Sequence, residues 1–296
     1  MKPCSHPGQS LDQQTLYALD RYSFSDGAAR HIASHRHDLR VANVGSIEQV
    51  FDAMNKNDSY GLIPIENASG GLVVPHLDMI AEKNIRIVGD IRYKVRMCMG
   101  GKAGGTHDSI TSFHSHGKGL DQCTKLTGLY PGAKKRAHNT TVDAVRYVRS
   151  IREYGHVALA SREAIEAQEG NEVPLEVYAA DVANHPGDRN RTKFYIGEIN
   201  GDHDEPDPEA LNHAMLITPE NSRGILQRLL GMIANARVNL TSLHSRNIDL
   251  DEYMFFIEMR REGLPEQFEL LSRQLAIDQD VKNVQWLGSW DESHDG

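Results

Sequence analysis

Short segments rich in apolar and β-branched residues alternate with segments of helical period over the first two thirds of the chain. Residues 16–19, 39–44 and 60–65 are compact runs bounded by turn formers, which predicts strands buried on both faces. Over 26–35, 47–55 and 72–83 apolar residues return every three to four positions, which predicts helices that lay one stripe on a sheet. The alternation continues with a β-rich stretch over 85–99, strands over 109–113, 156–160 and 193–199, and helices over 119–127 and 142–152. Strands alternating with helices predict parallel βαβ units, hence an α/β fold with its sheet covered on both faces.

The pattern breaks at 200–209. NGDHDEPDPE carries five acids and two prolines, offers no core face, and predicts a linker over 201–210. Residues 1–13 read as a disordered tail, which leaves 14–200 as one domain and 211–290 as another. In the second domain a strand over 213–218 precedes a helix that starts from an N-cap at Ser222 and runs to about 235. Strands over 238–248 and 252–259 flank an Asp-rich turn, and a helix over 265–277 leads to a closing strand over 281–287. The order βαββαβ is ferredoxin-like. Such a module leaves an edge open, so a homodimer or homotetramer is expected.

The chain has 296 residues, enough for two medium domains, with ordinary apolar (39%) and charged (25%) content. Lys plus Arg is 32 against 41 Asp plus Glu, and a net charge of -9 argues against a nucleic-acid partner. The run Lys134-Lys135-Arg136 is too short to change that and reads as a solvated loop. No apolar run reaches the length of a membrane span, so no membrane partner is expected, and no apolar segment follows Lys2-Pro3 to make a secretory signal. Cys4, Cys98 and Cys123 are few and widely spaced, as expected of a cytoplasmic protein.

Candidate chemistry collects where helices begin. Ser23 and Ser25, then Asn67, Ser69, Gly70 and Gly71, then Ser115 and Gly117, then Thr140 and Thr141 each stand at a strand-to-helix junction. Free backbone N–H groups there suit anions, although simple capping needs the same residue types. The pair His31 and His35, with His37, and the HxH of His114 and His116 lack an acid or cysteine at ligand spacing, so no metal is expected. Gly100-Gly101-Lys102-Ala103-Gly104-Gly105-Thr106 does not fit a phosphate-binding P-loop and reads as a mobile connection.

Several segments resemble the prephenate dehydratase family. Gly61-Leu62-Ile63-Pro64-Ile65-Glu66-Asn67 is similar to its GxxPIEN motif. Ser115-His116 followed by Leu120, Gln122 and Cys123 is similar to SHPQALxQC, and Asn139-Thr140-Thr141-Val142-Asp143-Ala144 to its STxxA helix start. Asn190-Arg191-Thr192-Lys193-Phe194 resembles NxTRF, and Ser23-Phe24-Ser25 with Ala28-Ala29 the end of GPxGTFSxxAA. After the linker, Arg223-Gly224-Ile225-Leu226 and the segment from Asn239-Leu240 to Ser245-Arg246 resemble an ACT domain.

The resemblance implies a two-lobed catalytic domain like a type II periplasmic binding protein, followed by a ferredoxin-like ACT domain. It implies loss of water and CO2 from prephenate to give phenylpyruvate in phenylalanine biosynthesis, with no cofactor. Thr192 would donate to the leaving hydroxyl, and Asn67 and Ser115 would orient the same region. Ser23, Ser25, Glu66, Thr140, Thr141 and Phe194 would line the substrate, and Lys193 would meet a carboxylate. Gly224, Leu226, Asn239, Leu240, Ser245 and Arg246 would form an allosteric site for L-phenylalanine.

The chain also departs from the family. GPxGT reads Leu19-Asp20-Arg21-Tyr22-Ser23, TRF reads Thr192-Lys193-Phe194, PIENS ends in Ala68, and SHPQ reads Ser115-His116-Gly117-Lys118. Lysine keeps the charge of the arginine it replaces but loses the planar fork. Lys118 and Arg21 stand as compensating cations. The family's ESRP reads His244-Ser245-Arg246-Asn247. These differences keep three alternatives open: arogenate as substrate, decarboxylation of prephenate alone, and a non-catalytic amino-acid sensor.

Overall fold

The structure, a computed structural model, describes residues 13–54, 59–68, 70–168, 173–185, 189–199, 205–250, 252–291 and 293–296. Residues 1–12 of the expected tail, Ser69, Asn200 and the linker residues 201–204 lie outside the described residues. The chain divides into two compact units. One holds the residues up to Val73 with Ile91–Phe194 and His294–Gly296; the other holds Val74–Asp90 and Tyr195–Ser293.

The first unit opens with β1 (Gln14–Leu19), α1 (Phe24–His35), β2 (Leu39–Val44), α2 (Ile47–Ala53), β3 (Ser59–Asn67) and the two-residue β4 (Gly71–Leu72). β1 lies in the middle, parallel to β2 from Gln14↔Leu39 to Leu19↔Val44 and to β3 from Thr15↔Ser59. Its Leu16 and Ala18 are fully buried, as are Ala28, Ala29 and Ile32 on the inner stripe of α1. Residues 191–194 of β11 (Arg191–Ile199) belong to this unit and lie beyond β3 in the strand order.

A second sheet in the same unit has the order β10-β6-β9-β7-β8. Its strands are β6 (Cys98–Lys102), β7 (Ser112–His116), β8 (Lys134–His138), β9 (His156–Ala160) and β10 (Leu175–Ala179). β7 runs parallel to β8 and β9, while β6 is antiparallel to β9 and β10. Alternation in β9 divides the core between the faces: Val157 and Leu159 pack with Phe113 and Leu120, Ala158 and Ala160 with Val142, Val145 and Ile165. The covering helices are α4 (Gly117–Gln122), α5 (Thr124–Gly128), α6 (Thr141–Ser150) and α7 (Arg162–Glu166).

Three expectations need correction here. The basic run 134–136 is not a loop but the start of edge strand β8, whose exposed position lets charged residues occupy a strand. Gly100, Gly101 and Lys102 are buried in β6. A Cβ on Gly100 would stand 2.4 Å from Ile165 Cγ2 and 3.0 Å from the Glu176 carbonyl oxygen, so the glycine marks a close approach, not a mobile connection. The strand expected over 109–113 runs instead from Ser112 to His116.

The second unit has β12 (Asn212–Pro219), α8 (Ile225–Asn235), β13 (Val238–Asp249), β14 (Glu252–Arg261), α9 (Pro265–Ile277) and β15 (Val281–Trp290), in the βαββαβ order read from the sequence. α3 (Val74–Glu82) and residues 85–90 of β5 (Ile85–Lys94) join it, so its boundary does not follow the acidic linker. The strand order is β13-β14-β12-β15-β5. Met215, Ile217, Leu229, Ile257, Phe268 and Leu271 form its core. α8 is not capped by Ser222: Gly224 takes the N-cap position at φ 81°, a left-handed conformation that glycine adopts without steric cost.

His213 is fully buried in this core, stacked on Phe268 at 3.7 Å, with ring nitrogens bonded to the Ala210 carbonyl and the Ser289 hydroxyl. Burial pushes its pKa down to about 4. The folded state therefore resists protonation that the unfolded chain accepts near pH 6.5, and stability is lost as pH falls from 6.5 towards 4. Urea melts are expected to lose about 2.5 kcal/mol more between pH 7.5 and 4.5 in the wild type than in His213→Gln. Equal losses would contradict a neutral His213.

Candidate active site

β3 ends at Asn67, and the following turn closes on β11 through Ala68 N–H to the Arg191 carbonyl at 2.9 Å. This places the Asn67 side chain beside Thr192. The Asn67 amide donates to Thr192 Oγ1 at 2.8 Å, and its oxygen accepts from Gln122 Nε2 at 3.1 Å and from Gly70 N–H at 3.2 Å. Gln122, at the end of α4, accepts in turn from Asn190 Nδ2 at 3.2 Å. Every bond in this chain points one way, from Asn190 through Gln122 and Asn67 to Thr192. Thr192 Oγ1 already accepts, and its own hydrogen finds no acceptor among the described residues, so the hydroxyl is set to donate outward. Asn190 is 2% exposed and its Oδ1 lacks a described partner.

The loop entering α1 is held by its own polar groups. Ser23 caps the helix, accepting from Asp26 N–H at 3.2 Å and donating to the Leu19 carbonyl, and Ser25 Oγ accepts from Leu19 N–H at 3.1 Å. Asp26, 2% exposed, accepts from Tyr22 N–H at 2.8 Å and from Arg30 and Asn43 at 3.0 Å each. Tyr22 takes φ 69°, the left-handed region, where the family's GPxGT has glycine. The strain of roughly 1–2 kcal/mol is opposed by the Asp26 bond and by Ser161, whose hydroxyl donates to the Tyr22 carbonyl at 2.7 Å. The left-handed turn is thus held at a residue other than glycine.

At the start of α6, Thr140 caps Asp143 N–H at 2.9 Å, with Thr141 as the first helical residue. The Asp20 carboxyl also bonds the Thr140 hydroxyl. Burial raises the Asp20 pKa, with Thr140 opposing the shift and Asp143 adding to it. A carboxylate of the chain itself therefore occupies one of the residues expected to line the substrate.

Other expected residues lie apart from the Thr192 chain of bonds. Ser115 is wholly buried, points to the interior with Phe113, and donates to the Leu159 carbonyl at 2.7 Å beneath Gly119. Strand alternation puts buried Lys193 on the face of β11 opposite Thr192 and Phe194, as it puts Glu66 opposite Asn67 on β3. Lys118 is exposed on the first turn of α4, its Cδ 3.9 Å from where a Cβ on Gly70 would stand, so its ammonium can reach the mouth of the 67–70 turn. In the second unit Gly224 begins α8, Leu226 and Leu240 pack against the core, and Asn239, Ser245 and Arg246 are exposed on β13, where Arg246 pairs with Asp78. Gln122 and Asn190 were not singled out as site residues, although both sit inside segments that resemble family motifs. Among the described residues no group of three His, Cys, Asp or Glu could hold a metal ion.

Residues 20–199 match the profile of the prephenate dehydratase family. The bifunctional chorismate mutase/prephenate dehydratase of Stutzerimonas stutzeri is 27% identical over 242 residues, 80% of this chain and 62% of the relative. The chain therefore spans about three fifths of that relative's length. The prephenate dehydratase of Arthrobacter aurescens in complex with L-Phe superposes with a TM-score of 0.75 at 20% identity, over 94% of this chain and 90% of that one. GqqA, described as a novel type of quorum quenching acylases, superposes with a TM-score of 0.74 at 22% identity, over 95% and 98%. These superpositions share the mixed α/β fold. By the match across 20–199, the chain is a member of the prephenate dehydratase family.

Proposed function

We propose that the protein converts prephenate to phenylpyruvate, a step of phenylalanine biosynthesis, and that Thr192 serves the leaving group. The observation that carries this reading is the one-way chain of amides ending on the Thr192 hydroxyl. The ring C–O bond breaks and the hydroxyl leaves as water with one added proton. The electron pair of the bond to the ring carboxylate moves into the ring as CO2 departs, and the ring becomes aromatic. Prephenate dianion plus one proton thus gives phenylpyruvate anion, CO2 and water. An unperturbed threonine is too weak an acid to be ionised beforehand, so its part is a hydrogen bond that strengthens as the oxygen gains charge. A donor at that oxygen favours dehydration over decarboxylation alone, which leaves the hydroxyl in place.

Purified protein should release CO2 and phenylpyruvate from prephenate in equal amounts, and no turnover under conditions where the fold is intact would overturn the reading. Lys118 is proposed to hold a carboxylate at the mouth of the turn. Lys118→Ala is expected to raise KM for prephenate about tenfold with kcat within about twofold, and an unchanged KM would remove Lys118 from the site.

The βαββαβ unit is proposed to be a regulatory ACT domain. The A. aurescens relative binds L-Phe, which supports L-phenylalanine as effector here. Among the described residues β13 ends the strand order, and such an edge suits assembly into a homodimer or homotetramer. Cytoplasmic placement is part of the same proposal. Among the described residues no helix is long and apolar enough to cross a membrane.

A further inference from the structure

Two features of the sequence stand outside the proposed reaction, the run 134–136 and the HxH at 114–116, and the fold brings them together. Alternation along β8 turns Lys134, Arg136 and His138 to one face. Register sets Lys134, Ser112 and His156 in one row across β8, β7 and β9, and Arg136 beside His114 in the next. These side chains, with Tyr147 of α6, line a cavity of about 630 Å³.

The His114 ring sits at the centre. Its Nδ1 is 3.0 Å from His138 Nε2 and its Nε2 is 3.1 Å from His156 Nδ1, while Ser112 Oγ lies 2.9 Å from His114 and 2.8 Å from His156. Because His114 turns a different nitrogen to each neighbour, the three rings do not converge on a single metal. No carboxylate lines the cavity, and neither Lys134 nor Arg136 pairs with an acid among the described residues. Cations set side by side on a strand without a counter-charge repel one another, and an anion would relieve that repulsion.

We propose that this groove is a second ligand site and takes a phosphate-bearing small molecule. Lys134 and Arg136 would supply fixed positive charge, and Arg136 a planar fork for phosphate oxygens. His138 and His156, at the two ends of the imidazole row, would add ring N–H donors for the phosphate oxygens. Ser112 and Tyr147 complete the polar lining around them. Burial and the neighbouring rings and Arg136 push His114 down to about 4, so it stays neutral and passes hydrogen bonds between the outer rings.

Titration calorimetry with inorganic pyrophosphate as the probe tests this on the full chain. One molecule should bind per chain. The double variant Lys134→Ala, Arg136→Ala changes only exposed side chains. It should bind at least about tenfold more weakly with an unchanged melting temperature. No binding would overturn the proposal. So would unchanged binding in the double variant, which would place the anion elsewhere, or equal displacement by chloride at matched ionic strength.

Discussion

Thr192→Ala is expected to lower kcat on prephenate by about 10²–10³-fold while leaving KM within a few-fold. The reason lies in the direction of the bonds around it. Asn67 donates to Thr192 Oγ1, and Asn67 cannot reverse its amide without facing its NH2 to the Gln122 Nε2 donor. The hydroxyl hydrogen is therefore presented outward before substrate arrives, and no reorganisation is needed as the C–O bond breaks. Alanine removes the donor and one acceptor of the Asn67 amide, but it leaves the proposed carboxylate-binding Lys118 in place, so the loss falls on kcat. Thr192→Ser keeps the hydroxyl and is expected to retain activity within about tenfold. Comparable losses in the serine and alanine variants would show that the site needs the threonine's shape and not its hydroxyl.

The second large effect is on stability. Asp26 is a buried carboxylate that holds Tyr22 N–H, Arg30 and Asn43, and the Tyr22 bond fixes the left-handed turn of the loop. Asp26→Ala takes an acceptor from three donors, of which Tyr22 N–H and Asn43 are half-buried, and removes one restraint on a strained residue. A loss of about 3 kcal/mol is expected, seen as a melting temperature lower by roughly 5–10 °C. Tyr22→Gly in the Asp26→Ala background should recover part of the loss, because glycine takes the left-handed conformation without strain. A shift below about 2 °C, or no recovery with glycine, would contradict the role given to Asp26.

Much of the fold was legible because its strands are compact apolar runs. β2 and β9 have the bounds expected from sequence, as does α9, and the βαββαβ order of the second unit is as read. The misreadings share a cause: composition stood in for geometry. Lys134-Lys135-Arg136 looks like a loop because three charges outweigh a five-residue period, yet an edge strand tolerates charge on its open side. Glycines at 100 and 101 look like flexibility, yet they record how closely Ile165 and Tyr178 approach the backbone. α7 and β10 are five residues each, too short for periodicity to show.

The site was legible to the extent that Asn67 and Thr192 lie in motif-like segments and meet in space. Ending the strand at 113 hides the side to which Ser115 turns. Carried on to His116, the period of two sets Ser115 with Phe113 in the interior. Starting β11 at 193 hid in the same way that Thr192 and Lys193 face apart. Gln122 and Asn190 could not be picked out by residue type, since their part depends on which amide faces which. Asp20 carries no sequence signal at all, and only the fold brings it to Thr140.

The most direct test of the account is to identify the product that purified wild-type protein and Thr192→Ala each form from prephenate at neutral pH. The account predicts phenylpyruvate from the wild type and its near-complete loss in the variant. Phenylpyruvate formed equally by both, or a dihydro-hydroxyphenylpyruvate that has lost CO2 but kept its hydroxyl from the wild type, would contradict it.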